Sequence, residues 1–121
     1  MKHIILVLLA LAIIITNINT TPRFTVSHCH DGDTCTIQDN HEASSFKLRI
    51  KDLDCPELHT NEGKLAKQLI NTITSKAKSI SIELDGTQSY GRLVGYLFID
   101  GKGINNTMIS SGLCKSWIFY K

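Results

Sequence analysis

Three Asp-Gly dipeptides divide most of this chain into short segments, and this feature restricts the possible fold more than any other. They stand at residues 31–32, 85–86 and 100–101, each after a run in which apolar and polar residues alternate. An Asp-Gly pair next to alternating runs is a strong short-range signal for a β-hairpin, because both residues tolerate the left-handed backbone of a tight turn. The sequence therefore predicts short strands joined by tight turns.

The alternating runs predict five strands in a chain of 121 residues, which is the size of a single domain. The strands are expected at residues 23–29, 34–38, 46–53, 79–85 and 92–99. This order contains too few long crossover connections for an all-parallel sheet. The expected fold class is therefore mainly β with α, in the form of a five-stranded, mostly antiparallel barrel of the oligonucleotide- and oligosaccharide-binding type (OB-fold).

Two helical patterns accompany the strands. The longer one follows the third strand, begins at the N-capping Thr60 and ends near Lys76. A second, shorter helix is expected over residues 104–111, where Gly112 can end it. The expected apolar face of the longer helix consists of Leu65, Ala66, Leu69, Ile70 and Ile73.

Residues 1–20 have the composition of a secretory signal peptide. Lys2 and His3 precede an uncharged apolar run over residues 4–15, and a polar stretch follows. The run is shorter than the roughly 20 apolar residues that a membrane span needs. We therefore expect residues 21–121 to form the folded domain and the protein to be exported, as a secreted or periplasmic protein. The usual small-residue cleavage pattern is missing, which leaves an uncleaved anchor as the alternative.

The net charge does not by itself indicate a nucleic-acid partner. The formal charge is +2, and it falls to +1 without residues 1–20, which contain one lysine and no acidic residue. Nucleic-acid-binding domains typically carry a strongly basic patch or stripe. Any attraction for phosphate must therefore come from the local placement of a few basic side chains.

Four cysteines follow the N-terminal segment: Cys29, Cys35, Cys55 and Cys114. An even number in an exported domain is typical of disulfides, and four cysteines allow three pairings. Cys29 and Cys35 flank a predicted turn and can bridge the two arms of a hairpin, which leaves Cys55 with Cys114. The alternatives are free buried thiols and a zinc site that includes the nearby histidines, although the spacing matches no common zinc motif.

A group of charged residues stands where the third strand must end. Residues 46–50 alternate like a half-buried strand, and Pro56 cannot continue its hydrogen-bonding ladder. Arg49, Asp54 and Glu57 are expected near this exit, where an arginine and two carboxylates can bind a cation and a phosphate together. The alternative is a solvated turn with surface charges.

Five short pieces of the sequence match one family in order and spacing. They are Asp31-Gly-Asp-Thr34, Arg49-x4-Asp54-Cys-Pro-Glu57, Tyr90-Gly-Arg92, Asp100-Gly-Lys and Gly112-Leu. By these pieces, the sequence resembles the staphylococcal nuclease (thermonuclease) family from about residue 23 to the C-terminus. The resemblance implies an OB-fold-like barrel with two helices. It also implies an enzyme, a calcium-dependent endonuclease that hydrolyses phosphodiester bonds of DNA and RNA.

The resemblance implies a catalytic role for three side chains. Arg49 and Arg92 match the pair that grips the phosphate, where guanidinium groups can donate to the charge that grows in the transition state. Glu57 matches the glutamate that holds or deprotonates the attacking water. The expected reaction is metal-assisted attack of water on phosphorus, which leaves 3′-phosphate ends. Lys51 and Asp52 are interpreted as ordinary surface residues.

Calcium is the cofactor that the resemblance implies. The carboxylates of Asp33 and Asp54 and the main-chain carbonyl of Cys55 are its expected ligands. This ion takes six to eight hard oxygen atoms and tolerates irregular geometry, so water and substrate can complete the shell. A carbonyl ligand uses only the backbone, and a cysteine at position 55 is therefore compatible with it. Asp31 is expected to support the turn.

Tyr90 and Tyr120 are the expected substrate-binding residues, because an aromatic ring near the phosphate can stack on a base. For Tyr90, packing of its own loop is the alternative. The sequence also departs from the family pattern. Gln88 replaces the acidic residue usual before Tyr-Gly-Arg, and Ile118 replaces one of two tail tyrosines. The C-terminal helix of the best-known member is not expected within residues 1–121. These departures affect substrate affinity and base preference more than the chemistry.

The expected partners are DNA and RNA substrates, with single strands preferred, and the protein is expected to be a monomer. No membrane partner is expected unless the N-terminal segment stays uncleaved. The main alternative is a catalytically inactive OB-type module that binds nucleic acid or protein. A small secreted interaction protein stabilised by disulfides is a third interpretation, which leaves the charged residues unexplained.

Overall fold

The computed structural model describes residues 21–117, which form eight strands and two helices. The elements are β1 (Phe24–Asp31), β2 (Thr34–Asp39), β3 (Ser44–Ile50), β4 (Leu53–Asp54), α1 (Asn61–Ser75), β5 (Ile80–Ser89), β6 (Arg92–Ile99), β7 (Lys102–Gly103), α2 (Ile104–Ser110) and β8 (Lys115–Ser116). Neither helix in this range is long and apolar enough to cross a membrane. The predicted signal peptide, Ile118 and Tyr120 lie outside the described residues.

The main sheet has the strand order β1-β2-β3-β6-β5, with β7 paired to β6. β1, β2 and β3 form an antiparallel meander, and β5 and β6 form a second antiparallel pair. The two groups are joined by the parallel pair of β3 and β6, which α1 and β5 separate along the chain. β4 and β8 form a separate two-stranded sheet.

The fold is mainly β with two helices and is OB-like, as the sequence predicts. β1 and β5 are the two ends of the strand order and lie near each other. Within residues 21–117 they share no ladder, so hydrogen bonds do not close the sheet into a barrel. Both predicted disulfides are present, Cys29–Cys35 and Cys55–Cys114, so the free-thiol and zinc alternatives are wrong.

The apolar core is formed by the inward residues of three central strands and by one face of each helix. Its largest buried members include Ile37, Leu48, Ile50, Leu97, Ile70, Ile104 and Met108. Burying a side chain of this size stabilises a fold by about 1.5–3 kcal/mol. Because successive side chains of a strand point to opposite faces, Arg49 lies on the face opposite to the core neighbours that precede and follow it on β3.

The predicted third strand over residues 46–53 is wrong in one respect. β3 ends at Ile50, a turn follows, and β4 then pairs with β8 instead of the main sheet. Asp52 adopts a φ of 59°, a left-handed conformation that interrupts an extended ladder. Asp54 and Glu57 therefore do not continue the line of Arg49 but leave the main sheet.

The predicted end of the fourth strand at Asp85-Gly86 is also wrong. β5 continues to Ser89, with a bulge between Leu84 and Gln88. Gly86 has a φ of 83°, and the Asp85 carboxylate accepts hydrogen bonds from the next threonine, at 2.8 Å from its main-chain nitrogen. Because the Asp85 side chain accepts the Thr87 N–H, this part of β5 has a local hydrogen bond where it leaves the ladder. The Asp-Gly pair therefore forms a bulge, and the strand resumes beyond it.

The buried stripe of α1 differs from the predicted apolar face. Leu65 is 52% exposed, although the spacing of apolar residues placed it in the core. Leu65 precedes the buried Ala66 by one residue, which is a rotation of about 100° around the helix axis. Its side chain therefore lies beside the buried stripe and not in it. The stripe itself consists of Gly63, Ala66, Ile70 and Thr74.

Candidate active site

A cleft of about 720 Å³ brings together the site residues that the sequence predicts within residues 21–117. The predicted residues come from four separate segments: the β1–β2 hairpin, the end of β3, the segment that starts with β4, and the β5–β6 turn. The predicted residues on its wall are Asp33, Arg49, Asp54, Cys55, Glu57, Tyr90 and Arg92. Tyr120 lies outside the described residues, so its substrate-binding role stays a prediction.

Asp33 is placed by the packing of its hairpin against the segment that carries Asp54 and Cys55. Gly32 lies so close to this segment that an added Cβ would stand 2.7 Å from the Cys55 sulfur. The Asp33 Oδ2 atom accepts a hydrogen bond from the Cys55 main-chain N–H at 2.9 Å. The Asp33 N–H donates to Asp31 Oδ1 at 3.0 Å, as expected for a residue that supports the turn. These contacts hold the Asp33 carboxylate against the Asp54–Cys55 peptide.

The Asp33 carboxylate is buried, with 9% of the residue exposed. Burial raises the pKa of Asp33 to about 6, while the Cys55 N–H and the Arg49 guanidinium act in the opposite direction. The Arg49 Nη2 atom lies 3.6 Å from Asp33 Oδ2. Arg49 also donates to the main-chain carbonyl of Ile50, so its guanidinium is held beside the carboxylate.

Glu57 has a fixed main chain and an exposed side chain. Thr60 caps α1 by accepting a hydrogen bond from the Gly63 N–H at 3.0 Å. The Thr60 hydroxyl and N–H donate to the Glu57 carbonyl at 2.7 and 3.0 Å. Gly63 lies so close that an added Cβ would stand 1.9 Å from the Glu57 oxygen. The beginning of α1 therefore fixes Glu57 at the edge of the cleft.

The Asp54–Cys55 segment is attached to the C-terminal part of the described chain at two adjacent positions. Asp54 pairs with Lys115 in the β4–β8 ladder. Cys55 is bonded to Cys114, which is almost fully buried. Asp54 itself is half-buried and lines the cleft. The position of the Asp54 carboxylate therefore depends on residues that follow it much later in the chain, Cys114 and Lys115.

Arg92 is held by two neighbours that sequence reasoning did not identify. Its Nη1 atom donates to Thr34 Oγ1 at 3.1 Å, which connects β6 to the hairpin of Asp33. Its Nε atom donates to the Ser89 carbonyl at 3.0 Å and its Nη2 atom to the Ser89 hydroxyl at 3.3 Å. A guanidinium has five N–H donors, so two remain for an anion in the cleft. The position of Thr34 beside the Asp-Gly-Asp turn was the available signal.

Tyr90 lies in the two-residue turn between β5 and β6. Tyr90 and Gly91 have φ angles of 51° and 76°, the pattern of a tight hairpin turn with left-handed central residues. The Tyr90 side chain is 98% exposed, and the Arg92 guanidinium lies 6.0 Å from its ring centre. Its exposure contradicts a role in packing the loop. The ring is accessible to a ligand that occupies the cleft.

Trp117 is a cleft residue that the sequence did not single out. It lines the same cavity and is 44% exposed, and its main-chain N–H donates to the Asp52 carbonyl at 3.0 Å. An aromatic residue in the C-terminal stretch was visible in the sequence, but nothing connected it to the site. The break after β3 makes this connection, because the Asp52 turn meets β8.

Lys51 and Asp52 are not the ordinary surface residues that the sequence suggests. The Lys51 ammonium lies 3.3 Å from an Asp85 carboxylate oxygen, and the Lys51 carbonyl accepts from the Asn105 side chain at 2.7 Å. The Asp52 carboxylate accepts a hydrogen bond from the Tyr96 hydroxyl. The turn after β3 is therefore fixed to β5, β6 and α2, which stabilises one wall of the cleft.

The donor atoms of the cleft fit a hard cation. Two carboxylates, on Asp33 and Asp54, and the Cys55 carbonyl belong to adjacent parts of one wall, and oxygen atoms of this kind are the ligands that calcium prefers. Across residues 21–117, no three side chains of His, Cys, Asp or Glu form a metal-binding group. A cation here would take its remaining ligands from main-chain carbonyl groups, water and the substrate.

Comparisons with known proteins point to one family. The family model described as "Staphylococcal nuclease homologue" matches residues 47–121. A relative from Arabidopsis thaliana, "Staphylococcal-like nuclease CAN1", is 28% identical over 79 residues, which are 64% of this chain and 24% of the relative. The "SPbeta prophage-derived endonuclease YokF" of Bacillus subtilis is 25% identical over 107 residues, 80% of this chain and 35% of the relative. The chain spans about a quarter to a third of these curated relatives.

Proposed function

Because the chain belongs to the staphylococcal nuclease homologue family, we propose that it is a calcium-dependent nuclease that hydrolyses phosphodiester bonds of DNA and RNA. One observation carries the proposal: a single cleft brings together both arginines, the carboxylates of Asp33 and Asp54, and the exposed Glu57. The names of two relatives, a nuclease and an endonuclease, support the same reaction class.

Asp33, Asp54 and the Cys55 carbonyl would hold the cation. When bound, a cation of this kind supplies a Lewis acid that polarises a phosphoryl oxygen. The Asp33 carboxylate is already oriented by the Cys55 N–H, so little rearrangement is needed at this ligand. Arg49 lies beside Asp33 and can contact the same phosphate from the neighbouring position.

Glu57 would hold the attacking water or accept its proton. A general base must lie within hydrogen-bond distance of the water, and the exposed side chain at the edge of the cleft leaves room for one. The water oxygen bonds to phosphorus, the bond to the 5′ oxygen breaks, and the leaving oxygen takes a proton from solvent. The products carry 3′-phosphate and 5′-hydroxyl ends.

Arg49 and Arg92 would stabilise the charge that develops on the phosphoryl oxygens. Arg92 is bound by Thr34 and Ser89 before any ligand arrives, and its remaining N–H groups are directed by these contacts. Donors fixed in this way need no reorganisation during the reaction, and removing one typically costs a factor of about 10²–10³ in rate.

The exposed aromatic rings of the cleft support single-stranded substrates. Tyr90 and Trp117 expose aromatic surface at the cleft, and bases that are not paired can stack on such rings. A monomer is sufficient for this arrangement, since all of these residues belong to one chain. Tyr120 would add a further aromatic ring from the end of the chain.

Export to an oxidising compartment is supported by the two disulfides together with the signal-like residues 1–20. Disulfides persist in secreted and periplasmic proteins and are rare in the reducing cytosol. Detection of the protein in the culture medium or periplasm of the producing cell, with residues 1–20 removed, is the expected result.

Cleavage of a labelled single-stranded DNA by the purified protein tests the proposal. We expect cleavage in calcium, its loss when EDTA is in excess, recovery when calcium is restored, and 3′-phosphate ends on the products. A protein that binds the DNA without cutting it under any of these conditions would be an OB-type binding module, and the proposed activity would be wrong.

A further inference from the structure

Two histidines that have no assigned part in the reaction stand side by side on the outer face of the sheet. The rings of His28 and His30, two residues apart on β1, lie 4.5 Å from each other between centres. The His30 Nε2 atom is 2.9 Å from Thr36 Oγ1 on β2. His28 is also the register partner of Thr36. These contacts place both histidines and Thr36 on one face of the β1–β2 pair.

Lys47 and Lys67 add positive charge to the same face. Lys47, on β3, is exposed and is the register partner of Thr36 on β2. Partial burial, followed by the charges of His28 and Lys47, lowers the pKa of His30; Asp31 acts in the opposite direction, and Lys67 lowers it to a smaller degree. The Lys67 turn of α1 lies at the edge of β1, because the Asn71 side chain bonds to both the N–H and the carbonyl of Cys29.

This basic face continues directly into the cleft. Thr34 and Thr36 are two residues apart on β2, so both point to the same side, and the same holds for Arg49 and Lys47 on β3. Thr34 accepts a hydrogen bond from the Arg92 guanidinium, and the register partner of Thr34 on β3 is Arg49. Two residues along a strand correspond to about 7 Å. The phosphate donors of the cleft and the basic face are therefore neighbours on one surface.

We propose that His28, His30 and Lys47, with Lys67 at the edge, form a phosphate-binding surface that holds the backbone of a single-stranded nucleic acid next to the bond being cut. The inference rests on the proposed nuclease function and extends it from one phosphate to a polynucleotide. Lysine ammonium groups supply the charge, and the histidine N–H groups donate to phosphate oxygens. Asp31 lines the cleft, and its negative charge acts on His30.

The surface predicts a preference for long substrates. A chain of several nucleotides reaches both the cleft and the basic face, whereas a dinucleotide fills the cleft alone. Each lysine that neutralises a phosphate of a single strand contributes about −0.7 to the slope of log binding constant against log salt concentration. The contribution of Lys47 is therefore measurable without any cleavage.

Lys47→Gln is the test, with Lys102→Gln as its matched control. Both lysines are exposed, but Lys102 lies on β7, which pairs with β6 and is not on the β1–β3 face. Binding of the full chain to a fluorescein-labelled 12-nucleotide DNA is measured by anisotropy in EDTA, over a range of salt concentrations. We expect Lys47→Gln to reduce the slope by about 0.7 and to weaken binding, and Lys102→Gln to leave both at the wild-type values.

Binding of a labelled dinucleotide separates the basic face from the cleft. Lys47→Gln should bind the dinucleotide as the wild type does, since this ligand does not extend beyond the cleft. An unchanged salt slope for Lys47→Gln with the 12-nucleotide DNA would overturn the inference, and so would an equal loss of affinity for the dinucleotide. Failure of the nuclease function would appear differently, as the binding pattern expected above for the wild type and both variants, but without cleavage in calcium.

Discussion

Gly32 is the single residue that determines how close the Asp33 carboxylate comes to the segment of Asp54. Its place in an Asp-Gly pair suggests that a left-handed turn requires the glycine, but Gly32 is not among the glycines with positive φ. The requirement is steric: an added Cβ would stand 2.7 Å from the Cys55 sulfur and 2.8 Å from its Cβ. A turn signal in the sequence thus reflects a contact between two parts of the site.

Gly32→Ala should therefore damage both activity and stability. The added methyl group must push the hairpin from Cys55, which lengthens the 2.9 Å hydrogen bond between Asp33 Oδ2 and the Cys55 N–H. Overpacking of this kind typically costs about 1–3 kcal/mol in the free energy of unfolding. We expect this loss in urea unfolding and a lower rate of calcium-dependent DNA cleavage.

Gly103→Ala provides the control for this change. A Cβ at Gly103 would meet only the Phe98 ring, at 3.8 Å, and the residue has an ordinary φ of −62°. Its rate of cleavage should stay at the wild-type value. Wild-type activity and stability in Gly32→Ala would show that the close packing does not position Asp33.

The sequence predicted the site residues that belong to local motifs, but not the residues that support them. Asp33, Arg49, Asp54, Glu57 and Arg92 were identified by local motifs, and the structure brings all of them to one cleft. The supporting residues were not identified, because their roles depend on contacts between distant segments. The Ser89 side chain, for example, is informative only once the turn places it beside Arg92.

The two disulfides differ in the elements of secondary structure that they connect. Cys29–Cys35 joins register partners on β1 and β2, which the ladder already holds together. Cys55–Cys114 joins the segment of Asp54 and Glu57 to the chain after α2, across 59 residues. The second disulfide therefore attaches one wall of the cleft to the rest of the fold.

Replacing each pair by alanine should separate these roles. In a chain-entropy description, closing a 59-residue loop contributes about 4 kcal/mol and closing a 6-residue loop about 2 kcal/mol. We expect Cys55→Ala/Cys114→Ala to lose more stability in urea unfolding and most of its cleavage rate. Cys29→Ala/Cys35→Ala should keep its rate under conditions where it is folded. Equal rates in the two folded double variants would contradict this account of the Cys55–Cys114 disulfide.

Element boundaries show where local sequence signals fail. The alternation of residues 46–53 predicted one strand, yet Asp52 breaks it because its carboxylate and main chain bond to Tyr96 and Trp117. Likewise, Asp85-Gly86 predicted a strand end and forms a bulge, since Thr87 bonds to the Asp85 side chain and β5 then resumes its pairing with β6. In both places a tertiary or side-chain contact decides between two locally acceptable backbones.

In the molecule as a whole, the parallel pairing of β3 and β6 brings the two arginines of the site together. Arg49 is the register partner of Val94, and Arg92 stands two residues before Val94 on the same face. The pairing of distant strands thus places both arginines on one surface. Composition, hairpin signals and helix periodicity predicted an OB-like fold, but they did not predict a parallel pair in a mostly antiparallel sheet. Long-range pairings leave no local pattern in the sequence.

The rate of calcium-dependent cleavage by Glu57→Gln tests whether this cleft is the active site of a nuclease. Glu57 lies at the cleft with its main chain fixed by Thr60, so the substitution removes a proton acceptor and leaves the fold unchanged. Glu42→Gln, at an exposed site in the β2–β3 loop, is the matched control. We expect Glu57→Gln to be slower than Glu42→Gln by a factor of about 10²–10⁴ at equal DNA affinity. Equal rates in the two variants would show that Glu57 does not take part in the reaction.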